Sequence, residues 1–315
     1  MAARIVVLGD INQDFVMRAE RMPRPGETLQ GADLSFVPGG KGANQAVAAA
    51  RLGAEVTAIG RIGDDPFGPR LREHLERENV VTDFVESDAH EATGSAFITL
   101  APSGENSILV CMGANFSVSV RQIMDASEAI AQAEILLVQL GVPPEAVLHA
   151  MEIANEAGVP TLFDPSPVSN DLASLWPYTT IATPNETEAE SITGMPVSTV
   201  EEAVQAASWL RERGVKIAII TLGAAGAVVL DDDGARHVRG YVVEVVDTTA
   251  AGDAFAGVLA TRLAEGAPVD DALCFANAAG AIAASRFGAQ TSLPTRDKIE
   301  LLMAAQQEAE RVRSL

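Results

Sequence analysis

The stretch Val246-Asp247-Thr248-Thr249-Ala250-Ala251-Gly252-Asp253-Ala254-Phe255 joins two contrasting runs. Residues 241–246 are β-branched and predict a strand, whereas the apolar pattern of 254–265 predicts a helix. A loop therefore hands over to a helix at Ala250 to Asp253. At such a junction the first backbone N–H groups have no intrahelical partner, and the helix dipole adds partial positive charge. The small residues Ala250, Ala251 and Gly252 let an anion approach those N–H groups, so a phosphate is the expected guest. Asp253 stands out, because a carboxylate beside a bound phosphate repels it. It makes chemical sense as a base that takes the proton of a hydroxyl attacking phosphorus. The preference of helix first turns for acidic residues would account for Asp253 alone, but the surrounding chain favours the chemical reading.

Away from this junction, strands and helices alternate. Residues 56–59, 135–140, 159–163, 180–183 and 216–222 read as strands, with helices between most of them. Thr199 with Glu202 forms a capping box, after which Val200, Ala203, Ala207 and Leu210 make one apolar helical face. That order predicts an α/β fold, a central and mostly parallel sheet with helices on both faces, as a single domain over residues 1–315. Two segments, about 13–37 and 93–115, break the alternation. The first carries short strands interrupted by Pro23, Pro25, Gly26 and Gly31; the second reads as a hairpin of 95–100 and 106–112 around Pro102-Ser103-Gly104-Glu105. Together they are expected to form a small β insert that covers a site as a lid.

The loops at strand ends carry the polar chemistry. Residues 4–9 form an apolar strand running into Asp10-Ile11-Asn12-Gln13-Asp14, and ligands of open α/β sheets sit beyond the carboxyl ends of strands. Asn12 and Asp14 there suit sugar hydroxyls, which need donors and acceptors, although Asn and Asp also favour ordinary turns. Pro38-Gly39-Gly40-Lys41-Gly42-Ala43-Asn44-Gln45 opens an alanine-rich helix that stops at Gly53; its glycines permit close backbone approach, and Lys41 and Asn44 offer polar contacts. It is neither a Walker A loop, since Gly42 follows Lys41, nor a dinucleotide fingerprint. Asn185-Glu186-Thr187-Glu188 supplies oxygen ligands suited to a hydrated Mg²⁺, and equally the acidic first turn of a helix. Thr221-Leu222-Gly223-Ala224-Ala225-Gly226 is a further glycine turn able to approach a nucleotide.

Composition narrows the partners. A net charge of −21 argues against nucleic acid or an anionic membrane as the main partner, so a nucleotide would be met locally by N–H groups, Mg²⁺ and few cations. Lysine occurs only at 41, 216 and 298. Aromatic residues make up 4% of the chain, leaving few rings for stacking on bases. No apolar run reaches spanning length and no signal peptide is read, which gives a cytoplasmic expectation. Cys111 and Cys274 are expected as free thiols, and His74, His90, His149 and His237 are too scattered for a metal site.

Taken in order, these motifs resemble the ribokinase family of carbohydrate kinases, also called the phosphofructokinase-B family, along essentially the whole chain. Gly39-Gly40-Lys41-Gly42-Ala43-Asn44 is similar to the family's N-terminal signature, Asp247 to Asp253 to its C-terminal one, and Asn185-Glu186-Thr187-Glu188 to its Asn-x-x-Glu motif. Many members have Gly at the position of Ala250; Ala there favours the ribokinase branch, and it still supplies a main-chain N–H. The resemblance implies ATP-dependent phosphorylation of a primary hydroxyl, O5 of D-ribose first. Alternatives are another furanose, a keto-sugar acid or a nucleoside, and, outside the enzymes, a non-catalytic sugar or nucleotide sensor.

By the same resemblance Asp253 is the base, with the N–H groups of Ala250, Ala251, Gly252 and Asp253 around the transferring phosphoryl. Asn12, Asp14, Gly40, Lys41, Asn44 and Asp253 would hold the sugar. Asn185, Thr221, Gly223, Gly226, Gly252 and Asn277 would line the ATP site, with Glu188 acting on Mg²⁺ and phosphate through water. A monovalent cation, K⁺, would be held by Asp247, Thr249, Ala283, Arg286, Gly288 and Ser292. A homodimer through the β lid is also implied. One departure concerns the substrate: the family's sugar-contacting Glu after the strand 135–140 is replaced by Gly141.

Overall fold

In the computed structural model, which describes residues 2–100, 106–169 and 172–313, the run Ile5-Val6-Val7-Leu8 sets the pattern of the main sheet. Ile5 and Val7 pack into one helical layer and Val6 and Leu8 into the other, all of them buried. A strand covered on both faces needs apolar residues at every position, which is why this run does not alternate with polar ones.

The elements follow in chain order. Strands β1 (Arg4–Leu8), β2 (Asn12–Arg18) and β3 (Ala32–Gly39) lead into helix α1 (Lys41–Arg51), and β4 (Glu55–Gly63), α2 (Gly68–Arg77) and β5 (Val80–Asp88) come next. After β6 (Gly94–Leu100) and β7 (Asn106–Cys111) stand α3 (Val120–Asp125), α4 (Ser127–Gln132), β8 (Ile135–Val138), α5 (Pro144–Glu156), β9 (Thr161–Phe163) and β10 (Ile181–Ala182). The remainder is α6 (Glu186–Thr193), α7 (Val200–Arg211), β11 (Ile217–Thr221), β12 (Gly226–Asp231), β13 (Gly234–Arg239), α8 (Ala251–Ala264), α9 (Val269–Ala284) and α10 (Arg296–Arg313).

The main sheet has the order β13-β12-β11-β10-β9-β8-β1-β4-β5. It is parallel from β5 to β11, and only the β11–β12 and β12–β13 pairings are antiparallel. One face is covered by α1, α2, α8, α9 and α10, through residues such as Val47, Leu71, Leu259, Leu273 and Ile299. The other is covered by α3 to α7, through Ile123, Ile130, Met151, Ala189 and Leu210. The predicted fold class is therefore the observed one, and the capping box of Thr199 with Glu202 starts α7 as expected.

The two irregular segments form a second sheet of order β3-β2-β6-β7, the small sheet of the predicted class. β6 and β7 pair as the expected hairpin, whose turn at Pro102-Ser103-Gly104-Glu105 lies outside the described residues. Phe15 stacks on Phe97 with centroids 4.8 Å apart and meets Phe36 edge-on at 5.3 Å. Among the described residues no helix is long and apolar enough to cross a membrane.

Residues 241–246 correct the sequence reading, since they form no strand. The antiparallel hairpin of β12 and β13, entered from Gly226 and turned before Gly234, forms that end of the sheet, and the segment after it does not pair with the outer edge of β13. The segment after it runs extended without a neighbouring strand and leans on α9 and α10: Val246 N–H donates to the Ala284 carbonyl (2.8 Å), and Gln306 Nε2 to the Val242 carbonyl (2.9 Å). β-branched residues stiffen an extended chain, but a strand also needs a partner edge.

Helices α1 and α8 lie against each other with almost no side-chain spacer. A Cβ on Gly257 would stand 2.5 Å from the Gln45 carbonyl oxygen and 2.8 Å from the Ala48 Cβ. This contact sets how near the first turns of the two helices come. Gly257→Ala gains helix propensity but must push the helices apart, so urea unfolding should show a loss of about 1–3 kcal/mol. Unchanged or higher stability would mean that the contact does not set the spacing.

Candidate active site

Because β1, β8, β9, β10 and β11 are parallel, their carboxyl ends share one edge, where open α/β sheets bind ligands. Asp10 lies beyond β1, Gln139 and Gly141 beyond β8, Asp164 beyond β9, Asn185 beyond β10, and Gly223 beyond β11. The N-termini of α1 and α8 lie at the same edge. Helix α1 begins after Gly40 at φ +91°, where a Cβ would fall 2.6 Å from the Asp10 carbonyl oxygen. Helix α8 begins after Ala250, which adopts the left-handed conformation (φ 59°, ψ 11°) at a cost of about 1 kcal/mol relative to glycine. The Ala251 N–H donates to the Thr248 carbonyl (3.2 Å), whereas those of Ala250, Gly252 and Asp253 have no acceptor among the described residues. A Cβ on Gly252 would meet nothing within 4 Å, so the space before these groups is open.

Asp253, buried in the first turn of α8, faces the first turns of α1. Asn44 Nδ2 donates to its Oδ2 (2.8 Å), Gln45 Nε2 to its Oδ1 (3.3 Å), and Lys41 Nζ stands 4.0 Å from Oδ1. Gln45 Nε2 also donates to Asp164 Oδ2 (2.8 Å), so one amide bridges two acids. Burial pushes the Asp253 carboxyl up, against Lys41, Asn44 and Gln45, which stabilise its charge. Asp164 is raised to about 7, chiefly by burial, with Lys41 opposing and Glu188 and Asp253 adding. Asp14 is likewise raised to about 7, by burial and then by Asp10 and Asp253. For Lys41, burial alone would lower the ammonium, but Asp164, Asp253, Glu188 and Asp10 together outweigh it and hold it charged. Asp14 Oδ1 and Asn44 Oδ1 are buried without a hydrogen-bond partner among the described residues, and such acceptors suit the hydroxyl donors of a ligand.

A cleft of about 600 Å³ opens beside Gly252. Asn185, Thr221, Gly223, Gly226, Gly252 and Asn277 all line it. Two of these also hold its wall. Gly226 (φ +98°) admits the Val238 carbonyl, which a Cβ would approach to 2.2 Å, and Asn277 Nδ2 donates to the carbonyls of Val238 (3.1 Å) and Arg239 (3.3 Å). Glu188 is absent from the lining. Its Oε2 accepts the Asn185 N–H (2.9 Å) while Asn185 Oδ1 accepts the Glu188 N–H (2.9 Å), a capping box that starts α6. A separate cavity of about 400 Å³ under Trp176 and Trp209 contains none of these acids.

Of the residues expected to hold a monovalent cation, Asp247, Thr249 and Gly288 are joined by hydrogen bonds beside the loop that carries Ala250. Asp247 Oδ1 accepts from Thr249 N–H (3.0 Å) and Oγ1 (2.6 Å), and Oδ2 accepts from the Gly288 N–H (2.9 Å). The Asp247 N–H in turn donates to the Ala284 carbonyl (3.1 Å), tying the loop before α8 to the end of α9. Ser292 is buried and its Oγ donates to the Ala289 carbonyl (2.7 Å), whereas among the described residues Arg286 makes only the local turn bond from its N–H to the Ala283 carbonyl (3.1 Å). Cys111 and Cys274 are free, and no group of acids, histidines and cysteines fit for a metal occurs among the described residues.

Sequence reasoning missed Asp10, Gln45, Asn115 and Asp164. Asp10 and Asp164 follow predicted strands, so the strand-end rule that singled out Asn12 and Asp14 reaches them too. Asn115 has no such signal; its Nδ2 donates to Asn12 Oδ1 (2.7 Å) from 103 residues away.

A doubly covered α/β sheet with an open helix N-terminus, a buried carboxylate in its first turn and a neighbouring cleft defines a phosphotransferase architecture. The profile of the pfkB family carbohydrate kinases matches residues 2–296, and the chain belongs to that family. It is therefore a carbohydrate kinase, an enzyme that moves a phosphoryl group to a sugar hydroxyl. The chain is 42% identical to the ribokinase of Haemophilus influenzae, over 95% of this chain and 97% of that one. It is 37% identical to the ribokinase of Mus musculus, over 96% and 95%. The solved Arabidopsis thaliana ribokinase, complexed with ribose and ATP, superposes with a TM-score of 0.89 at 33% identity, covering 96% of this chain and 99% of its own.

The acid cluster has a consequence for stability. A carboxyl raised from 3.8 to about 7 on folding, as at Asp14, favours the folded state when protonated. That contribution is complete below the unfolded value and is lost as pH rises through the folded one. The ligand-free protein should therefore melt at lower temperature at pH 8 than at pH 5, and Asp14→Asn should reduce that difference. An unchanged difference in the variant would rule out the raised Asp14.

Proposed function

We propose that this protein transfers the γ-phosphoryl group of ATP to the O5 hydroxyl of D-ribose, giving ribose 5-phosphate. The observation that carries the reading is the placement of Asp253. It is a buried acid with raised proton affinity, set by Asn44 and Lys41 beside the unpartnered N–H groups that open α8. Asp253 takes the proton of the attacking hydroxyl, and the N–H groups of Gly252 and Asp253 meet charge on the migrating phosphoryl. Asn12, Asp14, Gly40, Lys41 and Asn44 hold the sugar. ATP occupies the cleft lined by Asn185, Thr221, Gly223 and Asn277.

Mg²⁺ would arrive with ATP, held mostly by phosphate oxygens and water, near Glu188 and Asp164, whose carboxylates also act on the Lys41 ammonium. Bound with ATP, it would neutralise phosphate charge. K⁺ would sit between the Asp247 to Thr249 loop and the Ala283 to Ser292 loop. Both Asp247 oxygens are already engaged there, so main-chain carbonyls and Ser292 Oγ would supply most ligands, and the ion would stiffen the loop carrying Ala250.

The small sheet acts as the lid and as the dimer contact. Leu34, Phe36, Phe97, Leu109 and Val110 are exposed on it, an apolar concentration expected of a surface that meets a second copy. The free thiols Cys111 and Cys274, together with use of ATP, fit a cytoplasmic protein.

Asp253→Asn should cut turnover about 10²–10⁴-fold while ATP still binds; a near-normal rate would remove Asp253 as the base. Coupled ATP turnover over ribose, deoxyribose, fructose, keto-deoxygluconate and adenosine, with K⁺ exchanged for Na⁺, should show ribose with the highest kcat/KM and a loss of rate in Na⁺. Preference for another acceptor would redirect the substrate, and sugar binding without turnover would favour a sensor.

A further inference from the structure

Asn12, Asn115 and Asp10 form one buried chain of hydrogen bonds whose two ends are main-chain N–H groups. At one end the Ile11 N–H donates to Asn115 Oδ1 (2.9 Å), and Asn115 Nδ2 donates to Asn12 Oδ1 (2.7 Å). Asn12 Nδ2 then donates to Asp10 Oδ2 (2.8 Å), while Asp10 Oδ1 accepts the Gly42 N–H (2.9 Å) from the other end. A main-chain N–H cannot be turned into an acceptor. A carboxamide accepts on one side and donates on the other, so it passes polarity along the chain without reversing it. A chain with a fixed donor at each end therefore closes only if one link is acceptor on both sides, and the ionised Asp10 is that link.

Polarity fixes the amides as well. With Asp10 ionised, Nδ2 of Asn12 must face it and Oδ1 must face Asn115, and the flipped amides would each oppose a like group. The chain also joins distant parts of the molecule: Asn12 opens β2, Asn115 follows β7, and Gly42 lies in the first turn of α1 beside Lys41 and Asn44. Asp10 thus sets the two roots of the small sheet against the helix that meets Asp253.

Gly141 admits this arrangement. A Cβ there would lie 2.6 Å from Asp10 Cγ and 2.7 Å from its Oδ1, closer than nonbonded atoms approach. A side chain at 141 and the observed Asp10 carboxylate exclude each other.

We propose that Asp10 is a positioning residue for sugar binding, whose carboxylate fixes the orientation of the Asn12 amide and ties the roots of the lid to α1, and that Gly141 is the position that makes room for it. The proposal rests on the reading of Asn12 as a sugar contact. Asp10→Asn places a donor opposite a donor at one point of the chain, and Gly141→Ala displaces the carboxylate from a different strand. Both should raise the KM for ribose about tenfold or more and leave kcat and the KM for ATP within about threefold. The exchanged pair Asp10→Asn with Asn12→Asp restores every hydrogen bond of the chain, because the acceptor-only link moves one place. It should recover the melting temperature of the parent, while its ribose KM stays altered because Asn12 itself meets the sugar; a pair as destabilised as Asp10→Asn alone overturns the chain as described.

Unchanged ribose KM in Asp10→Asn and in Gly141→Ala overturns the proposal, as does an equal change in ribose KM, ATP KM and kcat. Should the parent protein phosphorylate no sugar, the kinase reading fails instead. The chain is then tested by amide hydrogen exchange at Ile11 and Gly42, and rates unaltered in Asp10→Asn overturn it.

Discussion

The site depends on the approach of two helix N-termini to one sheet edge. α1 and α8 can come that close because Gly257 has no side chain at their contact. That brings Lys41, Asn44 and Gln45 within reach of Asp253, more than 200 residues later in the chain. Each N-terminus alone attracts anions. Placed together, they create a region where main-chain N–H groups can face a phosphate while the acid between them faces a hydroxyl.

The charge balance of this region is unusual. Asp10, Asp14, Asp164 and Asp253 are all buried and all raised in proton affinity, and Lys41 is the ammonium that acts on Asp10, Asp164 and Asp253. Burying several like charges costs free energy unless protons, donors or cations offset it. Raised proton affinity does so at Asp14 and Asp164, donors from Gly42 and Asn12 at Asp10, and the amides of Asn44 and Gln45 at Asp253 and Asp164. Sugar hydroxyls and a nucleotide-bound cation would offset the same charges, so these acids favour ligand binding. The net charge of −21 is therefore compatible with an anionic nucleotide, which is met by N–H groups rather than by a basic surface.

Much of the site was legible because strand ends and helix starts carry local signals. The motif at Gly39 to Asn44, the Asn185 to Glu188 turn and the Ala250 to Asp253 junction each announce themselves within a few residues, and the structure brings all three to one edge. Gln45 looked like another residue of an alanine-rich helix until its amide was seen to bridge Asp164 and Asp253. Gly141 read as a missing carboxylate, whereas packing gives its place to Asp10. Residues 241–246 carried a strand pattern but are held against α9 and α10 instead of pairing with the edge strand β13, through bonds such as Val246 N–H to the Ala284 carbonyl.

The sequence by itself determined the layered α/β class, the two-sided burial of β1 and the helix starts at Lys41 and Ala251, because periodicity, glycines and capping residues act over a few positions. Only the tertiary structure decided which acids share a proton-rich pocket, which amide faces which way and where the cleft opens. Those depend on contacts such as Asn115 with Asn12 and Gln45 with Asp164, between residues more than 100 positions apart. No local pattern encodes which of many distant polar groups will meet, and in a buried site that meeting sets both proton affinity and geometry.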